Sequence, residues 1–463
     1  MSRWSIVSSV FSVLAAAACG HSSRATAPPA FVPESGRHRE QVEALVKPLL
    51  DAELVTGVVV GLYDDGKNEV YGFGAGPNHA APDGTTLFEL GPVTKIYTTL
   101  LLADAVQRHE VELDTPVAEL LPPGVTVPVK GKVLITLKHL ALHGSGLPRL
   151  PPSLVAHSAN PNPYATYGED ALYNDLIRTE LEATPGTQLS YSTYGGGLLG
   201  FALGRKLGGG YAKVLAERVL RPLELKDTFV VVPPAQSARR AAGTTDDLVK
   251  VPPWTFDALA GAAALVSTAN DQLRLVEIEL DAAAGGSLPL RHAMKLTQEP
   301  QLDRTGDNVS LGWTIDSTGR YWHTGSTAGC HAFIGFDPRT KRGVVLLAST
   351  ATSVIDRLPN AMYQILDNAT PPPTKLATAA DLAAYAGTYE VSNIKLQVVA
   401  SGKRLYLDSA GEPRRRMAPI SDHEFWLEGL QTVAVFEKDG DKVARVVFGL
   451  GGRALVAQRV EAK

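Results

Sequence analysis

Cysteine is almost absent from this sequence: Cys19 and Cys330 are the only two in 463 residues. A disulfide framework therefore does not hold the chain together. Charge of one sign is equally scarce. A formal net charge of -4, with no long run of like charges, sets up no general field for nucleic acid or anionic lipid. No nucleic-acid partner is expected. The eleven histidines show no HExxH motif and no Cys/His ligand spacing, so neither a metal nor another cofactor is implied. The largely apolar run at residues 6–14 is too short to stay in a membrane as a spanning helix.

What remains is an ordinary globular composition, 44% hydrophobic, in a chain too long for one compact core. Two folded units with tails are expected. The N-terminus carries Arg3, the apolar run, and then Ala15 to Ala18 leading into Cys19, the layout of a secretory signal. Small residues directly before a cysteine resemble a bacterial lipoprotein signal. That resemblance implies cleavage that leaves Cys19 as an acylated first residue, anchored by lipid in the cell envelope, with residues 20–36 as a tether. Simple secretion, with Cys19 an incidental signal residue, is the alternative.

Residues 40–54 have helical periodicity, and segments 57–63 and 69–73 around the turn Asp64-Asp65-Gly66-Lys67 read as a β-hairpin. Apolar residues surround nearly the whole circumference of the next helix, residues 93–109, which predicts central burial. Further helices are expected between 164 and 182, over 197–221 and over 268–284. Strands at 309–316, 331–337 and 342–349 then complete a sheet. Hairpin first, helices in the middle and strands last make the unit at 37–368 an α+β domain whose antiparallel sheet joins both chain ends. The stiff Pro371-Pro372-Pro373 tract sets a linker at 369–378. Short strands at 396–398, 404–407, 424–426, 433–436 and 444–448 make residues 379–463 a small all-β, barrel-like module. Its Arg414-Arg415-Arg416 run reads as a solvated strand or loop, or as a site for an acidic partner.

Three separated segments carry the chemistry: Phe88-Glu-Leu-Gly-Pro-Val-Thr-Lys95, Tyr191-Ser192-Thr193 and His323-Thr324-Gly325. Together they resemble the penicillin-binding-protein and class C β-lactamase family of serine hydrolases, especially its D-Ala-D-Ala carboxypeptidase-like and esterase-like branches. There the motifs are a serine three residues before a lysine, Tyr-x-Asn, and Lys-Thr-Gly or its His-Thr-Gly variant. Framing segments 143–148, 184–187, 196–200 and 265–271 follow in the family's order. The resemblance implies a β-lactamase/transpeptidase-like fold over most of residues 40–368. It also implies Lys95, Tyr191 and His323 at catalytic positions, and Thr193, Thr324, Gly325 and Ser326 at substrate-binding ones. A peptidoglycan-like peptide or a small acyl or β-lactam compound is the implied ligand.

Residues three apart share a helix face, so a hydroxyl at position 92 would stand one turn from the Lys95 amine. The helix dipole at that first turn would favour a deprotonated attacker. Position 92 is proline. It has no hydroxyl to attack with and no backbone N–H for the oxyanion hole that the resemblance assigns to residues 92 and 326. Deleting a nucleophile costs about a million-fold in turnover in a well-studied serine protease. Losing one oxyanion donor costs roughly a hundred- to a thousand-fold. The scaffold is spared, because proline suits the first helical position.

Other hydroxyls do not replace it in the same geometry. Thr94 lies about 200 degrees around the helix and faces away. Ser145, Ser192 and Ser326 sit in flanking motifs, without Lys95 one turn away. Cys330 reads as a small buried hydrophobe, and His331 beside it falls on the opposite face of its strand. Thr193 lacks the amide that the family's asparagine supplies. Two readings follow: a cleft without turnover that binds peptidoglycan-like peptides or a protein partner at the envelope, or an active D-Ala-D-Ala carboxypeptidase, β-lactamase or esterase that uses another nucleophile or whose codon for residue 92 is misread.

Overall fold

Strand Gly57–Asp64 dictates the layering, because its first seven residues are buried and both of its faces need cover. In the computed structural model, residues 36–156, 160–303, 308–427, 430, 432–450 and 453–460 are described. The expected signal segment, Cys19 and the tether through residue 35 lie outside them. On one face of the strand, Val58, Val60 and Leu62 share a core with Val42, Leu45 and Leu49 of helix Arg39–Asp51 and with Met362 and Ile365 of helix Leu358–Leu366. Helix Ala269–Ala283 covers the other face, where a Cβ on Gly61 would come within 3.0 Å of Leu273 Cδ1. Glycine there is what lets the helix sit close.

The sheet is antiparallel and eight-stranded. Its order is Lys67–Gly74, Gly57–Asp64, Arg342–Ala348, His331–Asp337, Tyr321–Ser326, Thr314–Ile315, Asn308–Val309 and Leu302–Asp303. The central register, Val58↔Ala348 through Asp64↔Arg342, ties the first hairpin to the last strand of the domain. The α+β reading of the sequence holds. Helix Thr94–Gln107 is buried from Thr94 through Ala105. Its polar residues are paired inside: Thr98 Oγ1 lies 2.7 Å from both Tyr211 Oη and Gly261 O, and Thr99 donates to Leu311 O at 3.0 Å.

Two expected elements are broken, each by glycine. The helix expected over 197–221 starts earlier, at Thr193, and ends at Leu207, where Gly208, Gly209 and Gly210 all take positive φ. A new helix begins at Tyr211. The strand expected over 309–316 is two short strands, Asn308–Val309 and Thr314–Ile315, separated at Gly312 with φ +88°.

After the sheet domain, eight antiparallel strands from Gly387 to Val460 close into a barrel. The five strands expected there all form, and Gly387–Val391, Arg415–Pro419 and Arg453–Val460 complete the closure. Tyr389, Leu405, Met417, Phe425 and Phe436 fill the interior. Helix Ala379–Tyr385, held by a capping box between Thr378 and Asp381, brings Tyr385 onto Phe436 at a centroid distance of 4.4 Å. The arginine run is neither a free basic patch nor simply solvated. Arg414 pairs with Asp408 at 2.6 Å and Arg415 with Glu412 at 3.0 Å, while buried Arg416 donates to Glu53 O at 2.8 Å.

Candidate functional site

Leu90 donates to Leu265 O at 2.8 Å, and the chain then turns through the 3-10 segment Gly91–Val93 before helix Thr94–Gln107 begins. Pro92 therefore sits two residues before the helix, in the turn that leads into it. The backbone there asks for no N–H from residue 92, which is why proline is accommodated. Thr94 Oγ1 donates to Gly91 O at 2.7 Å and accepts from Leu265 N at 3.0 Å. It faces the protein interior, as the helical angle predicts.

Strand Tyr321–Ser326 packs directly on this turn. A Cβ on Gly325 would lie 2.2 Å from Leu90 O and 2.9 Å from Pro92 N, so only glycine lets the two backbones touch. The contact brings Pro92 and Ser326 to the same cleft.

Lys95 is buried, and its Nζ donates to Tyr191 Oη at 2.8 Å and to Ala262 O at 3.0 Å. Space for it comes from Gly196, where a Cβ would stand 2.7 Å from Lys95 Cε. Burial, with a smaller push from the charge of Arg149, lowers the Lys95 pKa to about 7. Burial moves the Tyr191 phenol the other way, to about 12. Near neutral pH the amine, not the phenol, is the group that trades a proton.

His323 Nδ1 lies 2.6 Å from Thr324 O. A carbonyl only accepts, so Nδ1 carries the proton and Nε2 is an acceptor. Burial first, and the Lys95 charge second, depress the His323 pKa to about 4, which keeps the ring neutral. His323 is an uncharged cleft-edge group. Thr193, at the start of helix Thr193–Leu207, is buried and not among the cleft-lining residues; its backbone N–H donates to Arg149 O at 2.9 Å. Of the three flanking serines, Ser145 and Ser192 are buried, the latter donating to Pro148 O at 2.7 Å. Cys330 is 2% exposed, and burial pushes its thiol up to about 12. It is no nucleophile.

Pro92, Lys95, Tyr191, His323, Thr324, Gly325 and Ser326 all line one cleft of about 670 Å³. Arg149 reaches it as well, exposed, with its guanidinium carbon 5.2 Å from the Tyr191 ring centroid and no ion pair among the described residues. Trp322 from the sheet and Trp426 from the barrel supply aromatic walls.

Sequence reasoning missed one cluster. Ser326 Oγ stands 2.5 Å from His331 Nδ1, and His331 Nε2 stands 2.8 Å from Asp356 Oδ1. All three residues line the same cleft. The sequence reading put His331 on the face opposite Cys330 without saying which face meets the cleft; the structure has His331, and not Cys330, among the cleft-lining residues. The four-residue connection 327–330, which places Ser326 directly across from His331, was the available signal.

The family model described as Beta-lactamase matches residues 42–369. A beta-lactamase of Escherichia coli (strain K12) is 27% identical, over 70% of this chain and 92% of its own length. A beta-lactamase of Pseudomonas fluorescens is 26% identical, over 67% of this chain and 93% of its own. The D-alanyl-D-alanine-carboxypeptidase/endopeptidase AmpH of Escherichia coli (strain K12) is 29% identical, over 46% of this chain and 54% of its own.

Proposed function

Starting from the fact that the chain belongs to the beta-lactamase family, we propose that its cleft binds carboxylate-bearing acyl-peptides without forming an acyl-enzyme at residue 92. Pro92 carries this reading. By the motif resemblance it takes the place of the family's serine, and it supplies neither the attacking oxygen nor the neighbouring N–H. The groups around it are in place: Lys95 and Tyr191 hydrogen-bonded, Thr324 and Gly325 on the opposite edge.

The ligand class follows from the two basic side chains Arg149 and Lys95, since the one carboxylate among the cleft-lining residues, Asp356, is held by His331. Arg149 brings a permanent positive charge with no carboxylate partner among the described residues, and Lys95 adds part of another. A free carboxylate next to an amide, as at the end of a peptidoglycan peptide or on a β-lactam, complements both. One relative's name, D-alanyl-D-alanine-carboxypeptidase/endopeptidase, describes action on such a terminus. Export fits the signal-like N-terminus, and acylation of Cys19 would hold the protein at the envelope. Metabolic labelling with a fatty acid, lost in Cys19→Ser, checks that part.

The test combines two measurements on the purified chain. Calorimetric titration with an N-acylated D-Ala-D-Ala peptide gives saturable binding, and mass spectrometry after incubation with a fluorescent penicillin gives no adduct at residue 92. Absence of saturable binding at millimolar peptide overturns the reading. A second reading, hydrolysis through another nucleophile, is favoured by the hydrogen bond between Ser326 Oγ and His331 Nδ1.

A further inference from the structure

We propose that Ser326, His331 and Asp356 form a separate acyl-transfer centre in this cleft, with Ser326 as nucleophile, His331 as general base and Asp356 as its positioning residue, acting on small carboxylic esters. The inference goes beyond peptide binding and does not depend on it.

The hydrogen-bond chain fixes its own polarity. A carboxylate oxygen only accepts, so His331 Nε2 carries the proton towards Asp356 Oδ1 at 2.8 Å. The other ring nitrogen, Nδ1, is then the acceptor for the Ser326 hydroxyl at 2.5 Å. That is the protonation pattern a serine–histidine–carboxylate relay requires. The ring is turned relative to the serine-protease arrangement, with Nδ1 facing the hydroxyl, but either imidazole nitrogen can take the proton.

Both ends of the hydrogen-bond chain, Ser326 and Asp356, are exposed, and only the histidine between them is buried. Ser326 is exposed to the cleft, whereas His331 is 3% exposed and its position is set by its strand. A buried histidine with two partners is commonly structural; here one partner is a hydroxyl open to a 670 Å³ cleft that also holds Pro92. The frame is stiff. Ser326 and His331 face each other in register, and the connection between them is closed by Thr327 N donating to Cys330 O at 3.0 Å. Thr327 Oγ1 accepts from Cys330 N at 3.1 Å, and Gly325 seats the strand on the turn at Pro92.

The chemistry balances without another reagent than water. The Ser326 Oγ–acyl carbon bond forms as the ester's C–O bond breaks; the hydroxyl proton passes to His331 Nδ1 and then to the leaving alcohol. Water gives a proton to the same nitrogen, attacks the acyl carbon and releases the acid, and the proton returns to Ser326. Residue 92 lends no N–H to the oxyanion. The centre is therefore suited to esters with good leaving groups rather than to amides. Trp322 and Trp426 give the cleft apolar walls for an aryl or short alkyl group.

The probes are a fluorophosphonate and 4-nitrophenyl acetate, applied to the full chain. The expected result is one phosphonylated residue, Ser326, mapped by tandem mass spectrometry, with inhibition of ester hydrolysis in step. Ser326→Ala removes both signals. His331→Gln lowers kcat on the order of a thousandfold or more. Asp356→Asn lowers kcat with KM little changed, and Asp356→Glu recovers part of the loss. The proposal is overturned if the unmodified chain carries no adduct on Ser326 or one elsewhere, or if folded Ser326→Ala hydrolyses the ester unimpaired. The first criterion needs no variant. Peptide binding is read separately by calorimetry, so either reading can fail alone.

Discussion

Lys95 Nζ donates to Tyr191 Oη across 2.8 Å, and no hydroxyl stands at residue 92 for either group to serve. The pair is nonetheless tuned. Burial draws the amine down to about 7 and pushes the phenol up to about 12, so the proton order is that of a base waiting for an acid.

Restoring the hydroxyl tests whether the rest of the machine is intact. Pro92→Ser is expected to form a penicillin adduct at residue 92, which the unmodified chain does not. Lys95 accepts the hydroxyl proton only when neutral, so acylation rises as pH passes about 7, the value to which burial lowers it. Stopped-flow labelling between pH 5.5 and 9 measures the profile. A folded Pro92→Ser that stays unlabelled means that the cleft has diverged beyond this position.

Thr193 is the next suspect. It is buried, is not among the cleft-lining residues, and lacks an amide. Adding Thr193→Asn to Pro92→Ser is expected to raise the acylation rate about tenfold, the worth of one well-placed hydrogen bond. An unchanged or lower rate removes Thr193 from the account.

The frame of the fold was readable because it is written locally. Alternation and turn residues marked the strands at 331–337 and 342–348, and the all-round apolar helix after Pro92 announced its own burial. The broken segments at 208–210 and 312 also had a local signal, glycine, which a purely hydrophobic reading passes over. Lys95, Tyr191 and His323 were legible through spacing and motif. The Ser326–His331–Asp356 chain was not. It joins two strand residues facing across a hairpin to a carboxylate 25 residues further on, and only the packing of segment Ser353–Arg357 beside the strand brings them together. Arg416 was misread for the same reason: its partner, the Glu53 carbonyl, lies in another domain of the fold.

Glu279 gives a stability prediction independent of the cleft. It is fully buried; Oε2 accepts from Gln298 Nε2 at 2.5 Å, and Oε1 has no hydrogen-bond partner among the described residues. Burial raises its pKa from 4.5 to about 8, against the Gln298 bond, which lowers it. Between those values the folded chain holds a proton that the unfolded chain has released, so stability falls as pH rises and the full cost is present above pH 8. Glu279→Gln abolishes that slope. It is expected to be more stable than the parent at pH 9, on the order of a few kcal/mol, with the gap narrowing towards pH 5. Urea denaturation at both pH values checks it, and a gap that does not widen with pH refutes the assignment.

Gly325→Ala examines the seam between strand and turn. The added methyl meets Leu90 O at 2.2 Å, and both sides of the contact are backbone, so neither yields cheaply. A loss of about 1–3 kcal/mol is expected, as for other overpacked sites. Fluorophosphonate labelling should fall more than stability does, because the displaced strand carries Ser326. Labelling at the parent rate in this variant would mean that the seam does not position the nucleophile.

Trp426 carries the last prediction, because it is the barrel's contribution to the cleft. It lies on strand Glu424–Leu427, is partly buried, and packs against the core that Val58, Leu358 and Met362 build in the sheet domain. The same side chain lines the cleft beside Trp322 and Asp356. Truncation thus removes an aromatic wall and loosens the packing at once. Trp426→Ala is expected to weaken binding of the D-Ala-D-Ala peptide by about tenfold, some 1.4 kcal/mol, and to lower the melting temperature. Trp426→Phe separates the two effects: it keeps most of the apolar contact and loses only the indole's reach. If Trp426→Phe binds like the parent, the wall is a generic apolar surface. If Trp426→Ala also keeps full affinity while melting early, the barrel supports the domain and takes no part in recognition.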